Sequence, residues 1–244
     1  MIIEICANSV QSAVNAQLGG ADRIELCQNL SEGGTTPSYA SISFCVNQLK
    51  IKTFVLIRPR AGNFDYSDLE FEIMKQDIAQ CKKLGVKGIV VGFLSEDGSV
   101  DVSKTRQIVE MASPMEVTFH RAFDRTADWE KSLEDIIHCG CHRILTSGLC
   151  NSALEGVSNL QKIISKANNR IIIVPGGGIS HHNALKIASI TSATELHASC
   201  KDFFIKHNNV KYSSPWNSSP DGFFESDELE IILLKKLFSD NNQI

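Results

Sequence analysis

Ile2-Ile3-Glu4-Ile5-Cys6, a helical stretch from about Ser9 to Leu18 closed by Gly19-Gly20, and then Arg23-Ile24-Glu25-Leu26-Cys27 spell one strand–helix–strand unit. The outer runs are short and rich in isoleucine, as buried parallel strands are, and a glycine pair just past the middle stretch is a helix C-cap signal. The turn after the first run, Cys6-Ala7-Asn8-Ser9, lacks the Gly-x-Gly-x-x-Gly pattern that opens a dinucleotide-binding sheet. The unit therefore reads as the start of a closed barrel.

The same alternation recurs along the chain. Further strands are predicted at 53–57, 88–93, 116–120, 143–146, 170–174 and 194–198, with helices between them and a last helix over about 226–238. The seventh of these helices is expected to open at Ser180, straight after Gly176-Gly177-Gly178. Eight alternations in 244 residues match the ~250 of a single (β/α)8 TIM barrel, so residues 1–244 are read as one domain with strand eight returning to strand one. One irregular stretch follows strand eight. It is a long loop over 200–225 with Trp216, Phe223 and Phe224, either a lid or a surface meander.

Composition narrows the function classes. A formal net charge of −4 without any Lys/Arg cluster argues against a nucleic-acid or anionic-membrane partner, and no apolar run approaches the ~20 residues of a spanning helix. Met1-Ile2-Ile3-Glu4 enters a strand without a basic leader, so no signal peptide is expected. Eight cysteines sit largely inside apolar patterns of a chain too large to need staples, which predicts free thiols and a cytoplasmic setting.

Strand parity sorts the side chains. Alternate residues face opposite sides, so Glu4, Cys6, Glu25, Cys27, Leu56, Arg58, Thr118, His120, Glu195, His197 and Ser199 are expected to point into the barrel. A buried charge costs several kcal/mol unless paired, so these groups serve either an internal Glu25–Arg58 network or a site on the C-terminal rim. Glu4, Glu25, His120, Asp124 and His197 are the candidates for acid–base work. Gly176, Gly177 and Gly178 before a helix, with Arg58, Arg60, Arg121 and Ser199, are the candidates for holding an anion. No lysine ends a barrel strand, which disfavours a Schiff-base aldolase. His138-Cys139-Gly140-Cys141-His142 has the look of a metal clip but falls at the opposite rim. Cys6 and Cys27 end adjacent strands on the functional rim, and soft thiolates suit Cu(I).

Read together, Glu4-Ile-Cys6, Gly20-Ala-Asp-Arg-Ile-Glu-Leu-Cys27, Glu32-Gly-Gly, Thr36-Pro-Ser, Ile57-Arg-Pro-Arg60, Thr118-Phe-His-Arg-Ala-Phe-Asp124, Leu145-Thr-Ser-Gly148, Pro175-Gly-Gly-Gly178 and Glu195-Leu-His-Ala-Ser199 resemble the signature runs of the CutC copper-homeostasis family. The resemblance implies a cytoplasmic eight-fold barrel, oligomeric, with copper as its ligand. Copper ligation, where proposed for such proteins, carries over to Cys6 and Cys27, as a linear Cu(I) site. That role leaves the arginines, imidazoles and glycines of the rim without a task. Two readings therefore stand side by side: a copper-binding homeostasis protein, and a barrel enzyme (an isomerase, lyase or hydrolase) acting on a small phosphorylated or otherwise anionic metabolite.

Overall fold

A computed structural model describes residues 1–205 and 222–239. Eight parallel strands form the barrel wall: β1 (Ile2–Ala7), β2 (Arg23–Leu26), β3 (Lys52–Leu56), β4 (Gly88–Val91), β5 (Glu116–Phe119), β6 (Arg143–Thr146), β7 (Ile172–Pro175) and β8 (Glu195–Ala198). β1 pairs with β2 on one side and with β8 on the other, Glu4 lying opposite His197. β7 and β8 meet through a single parallel bridge, Gly176 to His197, which makes this the thinnest seam of the ring.

Outside the wall run α1 (Val10–Leu18), α2 (Tyr39–Gln48), α3 (Asp68–Leu84), α4 (Val102–Ala112), α5 (Trp129–His138), α6 (Val157–Ala167), α7 (Ala184–Thr191) and α8 (Glu228–Ser239). Local chemistry sets their ends. Ser67 and Glu70 close a capping box at the start of α3, and Gly85 at φ 80° supplies the left-handed turn that stops it. The outward residues of each strand, among them Ile3, Ile5, Ile24, Leu26, Val55 and Ile57, pack against the helices as the main core. The inward residues Cys6, Cys27, Phe54, Leu56 and Val90 form a second, smaller apolar cluster. The parity expected from the sequence holds.

Two expectations are corrected. α7 begins at Ala184, not at Ser180, because Asn183 turns back on the loop: its Oδ1 accepts from the Ser180 N–H at 3.0 Å and its Nδ2 donates to the Gly178 carbonyl at 2.8 Å. The three glycines thus belong to a loop and not to a helix N-terminus. The stretch 200–225 is not irregular at its ends, where β9 (Lys201–Ile205) and β10 (Gly222–Ser226) pair antiparallel. This ribbon docks on the start of α1, with Asn8 Nδ2 donating to the Phe224 carbonyl at 2.8 Å and the Ser226 N–H donating to Ser12 Oγ at 3.0 Å. Trp216 lies outside the described residues. All eight cysteines are free thiols, and among the described residues no helix is long and apolar enough to cross a membrane.

Candidate functional site

The barrel interior is built in layers, and the lowest is ionic. Arg23 Nε donates to Glu4 Oε2 at 2.5 Å, and its Nη2 donates to Glu195 Oε2, also at 2.5 Å. Arg143 Nε reaches the same Glu195 oxygen at 3.0 Å, and its Nη1 pairs with Glu116. Arg23 is 2% exposed, so its charge must be met from within. The expected Glu25–Arg58 plug is therefore replaced by an Arg23–Arg143 plug. The sequence did carry a signal for it, since Arg23 shares the parity of Glu25 and Arg143 that of Leu145.

The next layer holds titratable groups in contact. His197 Nδ1 lies 2.7 Å from Glu4 Oε1 and 3.9 Å from Glu25 Oε2. Burial by itself would raise the Glu4 pKa, but the His197 hydrogen bond and the Arg23 and His197 charges outweigh it and hold the carboxyl at about 2. Glu4 is a fixed anion that orients His197, which weakens its candidacy for proton transfer. Burial alone would lower His197, yet its bonds to Cys6 and Glu4 and the two carboxylates raise it well above the usual imidazole value. Glu25 is pushed up to about 7, chiefly by burial, with His197 pulling it down and Glu4 pushing it up. Glu4, Glu116 and Glu195 each pair with an arginine, which leaves Glu25 as the odd carboxyl. Glu4, Glu25 and His197 each offer one atom within 4.8 Å of the others, a metal-sized cluster in which Glu4 and His197 are hydrogen-bonded and Glu25 Oε2 has no hydrogen-bond partner.

Cys6 and Cys27 stand beside this layer with sulfurs 3.7 Å apart, both buried. The bond to Cys27, with burial, lifts the Cys6 thiol well above its ordinary pKa. Cys6 reaches the cavity above, while Cys27 sits behind it near Gly34 and Leu56. At the opposite rim the His142 Nδ1 accepts from the Val117 N–H, the His138 ring contacts the Glu134 carbonyl, and no ligand cluster forms there among the described residues.

Above the thiols opens a cavity of about 1350 Å³ at the C-terminal ends of the strands. Arg58 on its wall is 4% exposed, and its Nη atoms donate to the carbonyls of Glu32, Gly34 and Gly62 at 2.9, 2.7 and 3.0 Å. It pairs with no carboxylate among the described residues. His120 accepts the Ala122 N–H on Nδ1 at 3.1 Å, so the neutral ring carries its proton on Nε2. Burial and the nearby Arg58 charge push this imidazole down to about 3. Phe64 lies against both, 4.9 Å from the His120 ring and 5.2 Å from the Arg58 guanidinium.

Several expected site residues take other roles. Asp124 is consumed as a clamp, accepting from Arg121 Nε at 2.8 Å, from the Ser147 and Leu149 N–H groups at 3.0 and 3.1 Å, and from the Thr146 hydroxyl. With its lone pairs engaged it is poorly placed to act as a base. Arg60 does not line the cavity; it bonds Glu70 Oε1 at 2.5 Å and the carbonyls of Ala61, Asn63 and Asp65. Gly176 closes the barrel seam, where a Cβ would meet Leu145 at 2.5 Å, and is not part of the wall. Gly177, Gly178, Arg121 and Ser199 do line it. Gly177 and Gly178 have φ of 102° and 72°, and their N–H groups meet no acceptor among the described residues. Lys201 also lines the wall, a group that the search for lysines at barrel strand ends missed because it opens β9.

The family model that matches this chain is that of the CutC family, over residues 1–202. The chain belongs to the CutC family. The match spans all eight barrel strands and every wall residue named above, and β10 and α8 lie beyond it. A CutC family protein of Chromobacterium violaceum is 47% identical over 200 residues, covering 82% of this chain and 81% of its own. The human copper homeostasis protein cutC homolog is also 47% identical over 200 residues, covering 82% and 73%. The crystal structure of a CutC protein from Streptococcus agalactiae superposes with a TM-score of 0.77 at 33% identity, over 82% of this chain and 98% of that one.

Proposed function

We propose that this CutC-family chain serves copper homeostasis, as the names of its relatives say of them, by holding Cu(I) at Cys6 and Cys27. The observation that supports it is the approach of two thiols to 3.7 Å, with Cys6 reaching the cavity and Cys27 just behind it. Taking ~2.3 Å for a metal–thiolate bond, two collinear bonds would span about 4.6 Å, more than the separation here. A bent site with a third donor fits the pair as it stands, and His197, bonded to Cys6, is the nearest candidate, provided copper displaces the proton from its Nε2 while Nδ1 stays on Glu4. Copper is the cargo of this site and Glu4 its outer support, since Glu4 fixes His197.

Titration of Cu(I) against a competing chelator tests this. Replacing Cys6 and Cys27 together by serine is expected to weaken binding by more than the ~10–100-fold that loss of an outer-shell partner costs. Unchanged affinity would exclude the pair. Eight free thiols support a reducing, cytoplasmic setting, and a homo-oligomeric state is assigned on the family resemblance alone.

A second reading has its own support. Arg58 is buried on the cavity wall without a carboxylate partner, and a cavity of about 1350 Å³ is far larger than one ion requires. The same rim therefore suits a small anion, with Gly177, Gly178, Arg121 and Ser199 at the mouth. Sulfate or phosphate is expected to raise the thermal midpoint, by the equivalent of ~2.7 kcal/mol at a hundred times Kd. Arg121→Ala, which removes a half-exposed guanidinium, is expected to diminish that rise. An equal rise in the variant would remove Arg121 from the site, and no rise in the parent chain would end the anion reading.

A further inference from the structure

Buried polar atoms in folded proteins nearly always have partners, so the exceptions ask for an explanation. Six side-chain atoms among the described residues are buried without one. Two of them, Arg58 Nε and the Tyr66 hydroxyl, belong to side chains that interact with each other, and two more belong to residues of the cavity described above: His120 Nε2 and Glu25 Oε2. His120 must donate through Nε2 because its Nδ1 is occupied in accepting the Ala122 N–H. Glu25 offers a carboxyl oxygen. These atoms come from the end of β5 and from β2, and Phe64 packs on the His120 ring and holds it in place.

A bare metal ion does not satisfy the His120 donor. An inorganic oxyanion fits donors, and it is already served at the other side of the mouth by the Gly177 and Gly178 N–H groups and Arg121. A ligand that meets both sets carries an anionic group at one end and oxygens that both accept and donate at the other. We propose that the cavity binds a hydroxylated organic phosphate of the sugar-phosphate class, its phosphate on Gly177, Gly178 and Arg121, a hydroxyl or carbonyl oxygen on His120 Nε2, and a hydroxyl on Glu25. This rests on the anion reading given above and adds the substrate class to it. The volume of about 1350 Å³ accommodates such a molecule, since pockets for small ligands commonly span ~300–1,000 Å³.

Thermal-shift titrations with ribose 5-phosphate and with inorganic phosphate separate the two claims. In the unaltered chain, ribose 5-phosphate is expected to act at a concentration about tenfold lower than phosphate, the ratio that one additional net hydrogen bond supports. His120→Phe, which keeps a ring and loses the donor, and Glu25→Met, which keeps the length and loses the oxygens, are each expected to bring the two ligands to within about threefold, leaving the phosphate response in place. Should His120→Phe fail to fold because the Ala122 N–H is stranded, Glu25→Met carries the test. If phosphate acts and ribose 5-phosphate acts no better, the substrate class is wrong while the anion site stands. A preference that survives both substitutions also overturns the assignment, and a chain that responds to neither ligand overturns both claims.

Discussion

Arg23→Met is expected to cost about 3–5 kcal/mol of folding stability, a large share of the ~5–15 kcal/mol that holds a domain together. Arg23 is the shared partner of Glu4 and Glu195, and all three are buried in the lower half of the barrel. Methionine matches its length and leaves packing against Phe54 largely in place, so the loss comes from two carboxylates deprived of their common guanidinium. Denaturant unfolding at neutral pH reads the effect as a fall in the midpoint, or as insoluble protein if the remaining stability is too small. Adding Glu4→Gln to the variant removes one stranded charge and is expected to recover part of the loss, a coupling that a double-mutant cycle measures. A fall of less than about 1 kcal/mol would show that the network contributes little.

Acid is expected to weaken the fold through His120. Its imidazole has an ordinary pKa of 6.5 and is held at about 3 in the barrel by burial and the Arg58 charge. The folded state thus binds this proton less readily than the unfolded chain. The contribution is complete above pH 6.5 and is lost progressively as pH falls from there toward 3, at about 1.4 kcal/mol per unit. By pH 4.5 the loss is of order 3 kcal/mol. Glu25 opposes it in part: its pKa is raised to about 7, so its protonation on folding gains stability as pH falls toward 4.5. The difference between the parent chain and His120→Phe isolates the histidine, since Glu25 is common to both. Unfolding free energies compared at pH 7 and pH 4.5 are expected to fall less in the variant, by about that 3 kcal/mol. Parallel pH curves would mean that the imidazole is solvated or charged in the folded state.

His120 and Arg23 also mark the boundary between what is local and what is not. His120 could be placed on the inner face at the functional rim from the alternation of Glu116 to His120 alone, and the same counting put Glu4, Cys6, Glu25 and His197 inside. Its role could not be counted. The accepted N–H of Ala122, the ring of Phe64 and the charge of Arg58 come from a following turn and a separate loop, and together they make it a neutral donor. Arg58 and Arg60 show the same contrast. Both read as anion clamps by position, but one is held by three carbonyls on the cavity wall and the other is drawn off the wall by Glu70, ten residues along the chain.

The sequence by itself determined the repeated strand–helix unit, the eight-fold ring, the inward face of five of its strands and the rim where polar residues gather. Each of these follows from periods of 2 and 3.6 residues and from glycine and capping signals, which act within a few residues of chain. The tertiary structure decided who meets whom. Glu4 reaches Arg23 and His197 because β1 lies between β2 and β8, strands separated in the chain by most of its length. Glu195 reaches Arg23 and Arg143 across the barrel in the same way. The energy of a buried charge or an unpaired donor is set by neighbours across the barrel, and no local period encodes them.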